Sequence, residues 1–329
     1  MYAKLKEYIT TYWLIIFFLL IALIVLISGI SVSDILASLF ALQLWQLFLL
    51  VVVFFIATGL HISSRKYLLY ALGSHCGLKN ITYIHFSTLA AHYSTPVKIG
   101  IPVAIYLFDK IENIEYSKST AMLLLEIGIS TSLCGLIALV GIPAILGVSL
   151  NNVMVIIVIA GLSLLILFFV TTYLYKKSSK HYRLLDYLFK TIAAMRSVAL
   201  SKMAIYLLLS LLLRLVDAIN IFLLCWFFLE ELTLWQSVVT TSTAFFIGTI
   251  SMIPMGLGSR DISILLLLNH YNISSESAIL IVTLQRVLTT GLSFILGIYC
   301  GSVLGLKNAK LSKTEFNKQE NPINPGDLK

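Results

Sequence analysis

Apolar runs as long as a bilayer is thick dominate this chain, and they decide its class before any motif is read. Residues 11–30, 119–148, 153–175 and 203–229 each supply at least about the ~20 apolar residues that cross a hydrocarbon core. Backbone groups in lipid find no water to bond, so each run must close its own hydrogen bonds as a helix. Hydrophobic residues make up 59% of the chain and charged ones 12%. The expectation is an all-α polytopic membrane protein with about six full transmembrane helices. The polar stretches 176–202 and 307–329 are too short for a soluble domain. Any chemistry must be done in or beside the bilayer.

The formal charge of +8 follows membrane logic and not nucleic-acid binding, because the lysines and arginines gather in loops assigned to one side. The densest group, from Lys176 to Lys202, includes Arg183, Lys190 and Arg196. Its Leu184, Leu185, Tyr187, Leu188 and Ile192 recur at helical spacing, which predicts an amphipathic helix on anionic headgroups. This places both termini in the cytoplasm and the protein in the cytoplasmic membrane. Residues 1–312 form a single transmembrane domain in this reading, with halves at about 1–175 and 203–305 joined by the basic linker 176–202, and a disordered tail from 313 to 329. Cys76, Cys134, Cys225 and Cys300 show no paired spacing, so neither a disulfide framework nor a metal site is favoured.

Two segments refuse the simple pattern. Between strongly apolar runs, residues 251–264 carry Pro254, Gly256, Gly258, Ser259, Arg260 and Asp261. Proline cannot continue the hydrogen-bonded ladder and glycine admits left-handed backbone, so the helix must break. Ser259 is a good N-cap, and a second half-helix is expected from Arg260 toward Asn269. The result is a helix start with free N–H groups and an arginine at membrane depth, a setting that suits an anion. Residues 81–108 behave alike: two apolar pieces of about 13 residues, each spanning only about 20 Å, flank Thr95, Pro96, Lys98, Gly100 and Pro102. Two re-entrant, broken-helix hairpins are expected. Their spacings, Pro96 to Gly100 and Pro254 to Gly258, suggest an inverted repeat, although Pro143 and Gly147 share the spacing.

Several charges lie inside apolar runs, where each unpaired one costs roughly 2.5–3.5 kcal/mol at a helix centre. Glu126, with Ser130 and Cys134, and Arg286, with Thr290, Ser293 and Gly297, define two polar faces. These serve either as an interior bridge or as the walls of a groove. Arg214 and Asp217, three apart with Asn220 nearby, read most simply as a local pair. Asp261 could pair with Arg260, which is the bland alternative to an anion-binding role for that arginine. His85 and His92 share a face but lack the company of a metal site.

The run Pro254, Met255, Gly256, Leu257, Gly258, Ser259, Arg260, Asp261 resembles the P-G-G-L-G-x-R-E signature of the lysylphosphatidylglycerol synthase transmembrane-region family, a group of flippase-like membrane proteins. The stretch from Thr95 to Gly100 is similar to that family's first proline-glycine motif, and Arg286 falls where the family tends to place an arginine. Met255 stands for a glycine, Asp261 for a glutamate, and Ile101 for an acidic residue. No soluble transferase domain accompanies these motifs, so the synthase activity in the family's name is not expected here. The resemblance implies translocation of an anionic lipid or lipid-linked head group, with an anionic phospholipid or polyprenyl phosphate as membrane partner. Lys98, Gly100, Gly256, Gly258, Ser259 and Arg260 are the expected substrate-binding residues. Glu126, Arg214, Asp217, Asp261, Arg286 and Thr290 are the expected polar groove. No cofactor, ATP motif, metal set or catalytic constellation is read. The alternatives are an integral-membrane enzyme acting on a lipid phosphate and a non-transporting component of envelope glycolipid or polysaccharide assembly.

Overall fold

The computed structural model describes residues 42–93, 100–146, 183–251, 253, 256 and 258–305, and among these every regular element is helical. In chain order they are α1 (Leu44–Ala71), α2 (Leu78–Tyr93), α3 (Gly100–Glu112), α4 (Tyr116–Leu146), α5 (Arg183–Arg196), α6 (Leu200–Phe227), α7 (Leu234–Ile250), α8 (Ser259–His270) and α9 (Ser275–Arg286). A π turn, Val287–Gly291, carries α9 onward to Gly305 without a break. Among the described residues α1, α4, α6 and the extended α9 are long and apolar enough to cross a membrane.

The remaining core helices come as two short pairs. At ~1.5 Å per residue, α2 and α3 span about 24 and 20 Å, and α7 and α8 about 26 and 18 Å, all less than a ~30 Å hydrocarbon core. The long helices show which end each pair uses. Trp45 at the start of α1 packs edge-on against Phe227 at the end of α6, centroids 5.5 Å apart, while Lys202 at the start of α6 covers the ring of Tyr70 at 4.9 Å. The two helices are therefore antiparallel, with an aromatic end and a basic end. α2 begins and α3 finishes at the basic end, where Asn80 Nδ2 donates to Glu112 Oε1 at 2.6 Å. α7 begins and α8 finishes at the aromatic end, where Leu232, Leu268 and Ile273 belong to one buried cluster.

Small residues let the pairs seat against the long helices. A side chain at Gly141 of α4 would collide with Val239 of α7, and one at Gly135 would sit 2.7 Å from the Phe246 ring. Gly297 of α9 admits α2 in the same way, with Ala90 Cβ 2.6 Å from where its own Cβ would be. Among the described residues three apolar clusters follow, one joining α6, α7, α8 and α9 with the start of α1, one joining α1 to α4 with Tyr206 and Leu304, and a small one of Phe54, Phe86 and Cys300.

Pro102 lies in the first turn of α3, as its ring chemistry favours. Pro143 lies inside α4, and Gly147 lies outside the described residues. The helical reading of the basic linker holds over α5, which docks on α4 through the Tyr187 hydroxyl and Thr120. α1 runs through the cations Arg65 and Lys66 and continues to Ala71. Arg65 can stay helical there because a carboxylate from α4 meets it. The runs 11–30 and 153–175, Pro96, Lys98, Pro254, Met255 and the tail 313–329 lie outside the described residues.

Candidate functional site

A cavity of about 320 Å³ opens among α1, α2, α6, α7, α8 and α9. Tyr93, at the last turn of α2, and Arg260, at the first turn of α8, both line it. The inner ends of the two short pairs thus face the same space. Arg214, Asp217, Arg286 and Thr290, all expected in a polar groove, stand on its walls with Gly256.

The break before α8 builds the cationic wall. Gly256 has φ +61° and Gly258 φ +77°, left-handed conformations that an L side chain resists. A Cβ on Gly256 would lie 3.1 Å from Gly248 Cα and 3.2 Å from Arg260 Cβ, so only glycine lets the turn fold back onto α7. The helix starts one residue earlier than expected. Gly258 is its N-cap and Ser259 its first residue, and the Ser259 hydroxyl is 2.9 Å from that of Ser251 at the end of α7.

Asp261 supplies the cap instead. Its Oδ2 accepts from the Gly258 amide at 3.1 Å. The same carboxylate takes Arg286 bidentately, Nε to Oδ1 at 2.7 Å and Nη2 to Oδ2 at 3.0 Å. Asp261 therefore does not form an ion pair with Arg260, the bland alternative for that arginine. A planar fork from α9 matches the carboxylate better than the neighbour on its own turn, whose side chain points to a different face of the helix.

The remaining charges sort as follows. Arg214 Nη1 holds Asp217 Oδ2 at 3.2 Å, the local pair expected, and its guanidinium lies 4.5 Å from the Phe245 ring centroid. Arg286 is matched by Asp261. Arg260 is left over: among the described residues it has no ion pair, and its buried Nε has no hydrogen-bond partner. A guanidinium so placed is the strongest anion-binding feature of the site.

Glu126 does not bridge to Arg286. It sits behind the wall, where both its oxygens accept from Arg65 Nε at 3.0 and 2.8 Å and Oε1 accepts from His61 Nε2 at 2.6 Å. Arg65 Nη1 donates in turn to His85 Nδ1 at 3.0 Å. His61 and His85 line the cavity in front of this group. Neither His61 nor Arg65 was legible as a site residue, since the partner carboxylate is more than sixty positions away in sequence. Gly100 is buried at the start of α3, where a Cβ would meet the Thr88 carbonyl at 2.7 Å and His92 Cβ at 2.8 Å. It closes the α2 and α3 pair and is not on the cavity wall. Lys98, Met255 and Leu257 are outside the described residues.

Among the described residues no group of histidine, cysteine and carboxylate side chains is arranged to hold a metal ion. No curated protein matches the chain. The family described as Lysylphosphatidylglycerol synthase TM region matches residues 12–297, a stretch containing every residue of the cavity wall. The chain belongs to the lysylphosphatidylglycerol synthase transmembrane-region family.

Proposed function

We propose that the protein moves an anionic lipid, or the phosphate-bearing head of a lipid-linked molecule, across the cytoplasmic membrane. The observation that carries the reading is Arg260, which has no ion pair among the described residues, in a cavity whose other arginines are already paired. An uncompensated cation at membrane depth costs roughly 2.5–3.5 kcal/mol. A phosphate bound against it offsets that cost through charge-assisted hydrogen bonds.

In this reading α2 with α3 and α7 with α8 are re-entrant hairpins from opposite faces, related as an inverted repeat, and the cavity lies where their tips meet. The basic end faces the cytoplasm, with α5 lying on its headgroups through the exposed Leu188, Phe189 and Ile192. The acyl or prenyl chain stays in the bilayer while the head passes through the cavity.

The test is transfer of a fluorescent anionic phospholipid between leaflets of liposomes holding the purified protein. Arg260→Ala is expected to slow transfer at least about tenfold, the equivalent of about 1.4 kcal/mol, with Arg260→Lys intermediate. Equal rates for native protein and Arg260→Ala would overturn the assigned site. No transfer by native protein above empty liposomes would overturn the activity.

A further inference from the structure

Two imidazoles stand side by side on the cavity wall, His61 of α1 and His85 of α2, with ring centroids 5.0 Å apart. Anion binding at Arg260 uses neither of them. Their partners leave only one able to take up a proton. A guanidinium N–H donates and never accepts, so His85 Nδ1, 3.0 Å from Arg65 Nη1, must be the acceptor and carries no proton. His85 is also only 2% exposed.

His61 meets the opposite chemistry. Glu126 accepts from Arg65 on both oxygens, which makes it an ionised carboxylate that can only accept, so His61 Nε2 donates to it at 2.6 Å. That leaves Nδ1 as the atom for a further proton. The His61 side chain keeps 31% of its exposure and lines the cavity, so a proton reaches it from there. Imidazole is the side chain whose charge changes near neutral pH.

The charges around His61 set when that proton is held. Among the described residues Arg65 pairs with Glu126, Arg214 with Asp217 and Arg286 with Asp261, while Arg260 has no ion pair. His92 and Tyr93 of α2 are the other titratable groups on the wall, and Tyr206 of α6 lies within range of the Glu126 charge. Because Glu126 is already matched by Arg65, a proton on His61 adds a second surplus cation to that of Arg260, and like charges oppose it. A phosphate monoanion bound in the cavity removes the opposition.

We infer that His61 is a proton-binding site linked to the anion site: a singly charged phosphate-bearing head and one proton, carried on His61 Nδ1, enter the cavity together and leave its net charge as it was. The inference rests on the anion-binding reading above and adds to it a second ligand, held at different residues. Glu126 and Arg65 are positioning residues here, since their ion pair presents the acceptor that fixes the His61 tautomer. Linkage is reciprocal, so the proton tightens the anion by the factor with which the anion tightens the proton.

The experiment is isothermal titration calorimetry of short-chain phosphatidylglycerol, whose own charge is constant near neutral pH, into the purified full-length protein in detergent. Buffers of different ionisation enthalpy count the protons taken up with each lipid. The native protein is expected to take up at least about 0.3 proton per lipid, and to bind at least about fivefold more tightly at about pH 6 than at about pH 8. His61→Gln, which keeps an N–H donor for Glu126, is expected to lose both the uptake and the pH dependence. His92→Gln is expected to keep both.

Lipid binding without proton uptake and with a flat pH profile overturns the inference and leaves the anion site standing. Uptake undiminished in His61→Gln, or lost in His92→Gln, puts the proton on another group and overturns it as well. Absence of lipid binding by native protein at every pH overturns the anion reading, and this inference with it. Should His61→Gln not fold, the native proton count and His92→Gln decide: zero uptake in the first, or uptake lost in the second, overturns the assignment.

Discussion

Asp261 shows how one side chain can serve local and tertiary structure together. It caps α8 through the Gly258 amide and locks Arg286 of α9 in place. Removing one partner of an ion pair sheltered from solvent leaves the other charge stranded. Both side chains here retain about a fifth of their exposure, so the full buried-pair penalty is discounted, to about 2–4 kcal/mol for Asp261→Ala. The expected outcome is a Tm lowered by on the order of 5–10 °C in detergent. Arg286→Leu in the Asp261→Ala background should recover part of that loss, because the stranded cation is then gone. A double variant no more stable than Asp261→Ala would show that the cap, and not the ion pair, dominates.

Between α7 and α8 the chain turns through two left-handed glycines that play different parts. A Cβ at Gly258 finds nothing within 4 Å, so Gly258→Ala meets backbone strain alone. A Cβ at Gly256 meets the same strain and also presses on Arg260 Cβ at 3.2 Å. Each substitution should cost about 1–2 kcal/mol of stability from the left-handed backbone. Only Gly256→Ala should also slow lipid transfer by several-fold, since it alone displaces the arginine. Parallel thermal melts and transfer rates check this, and an equal loss of transfer in both variants would count against the placement of Arg260. The broken element itself was legible from proline and glycine in an apolar run. Its cap was misplaced by one residue because Ser259 satisfies the usual N-cap preference locally, whereas the Ser251 hydroxyl draws it away.

The sidedness of the whole molecule is open to a direct test, because Cys76, Cys134, Cys225 and Cys300 are all buried. Cys76, in the turn after α1, has its thiol pushed up to about 12, chiefly by burial, with the Glu112 carboxylate adding to it. It is expected to stay unlabelled by maleimide at neutral pH in the folded protein, and to react once denatured. Against that silent background, Asn113→Cys at the basic end and Glu231→Cys at the aromatic end should be labelled from opposite faces of sealed vesicles. Labelling of both from one face would overturn the assignment of the two ends.

What the sequence determined by itself was the class of fold and the places where it must fail to be simple. Apolar length forces membrane helices, and clustered proline, glycine and charge inside such a run mark a break where the single Pro143 inside α4 does not, because both are properties of contiguous residues. Arg214 with Asp217 was readable for the same reason, being one turn of one helix. The pairing of Asp261 with Arg286, of Glu126 with Arg65 and His61, and the lack of an ion pair for Arg260 among the described residues were decided only by tertiary structure. Each depends on which distant carboxylate reaches which guanidinium first, and many pairings of so few charges satisfy the same local pattern. The cavity depends on the same packing, since Asn220 becomes an unsatisfied acceptor only when the helices around it close off water.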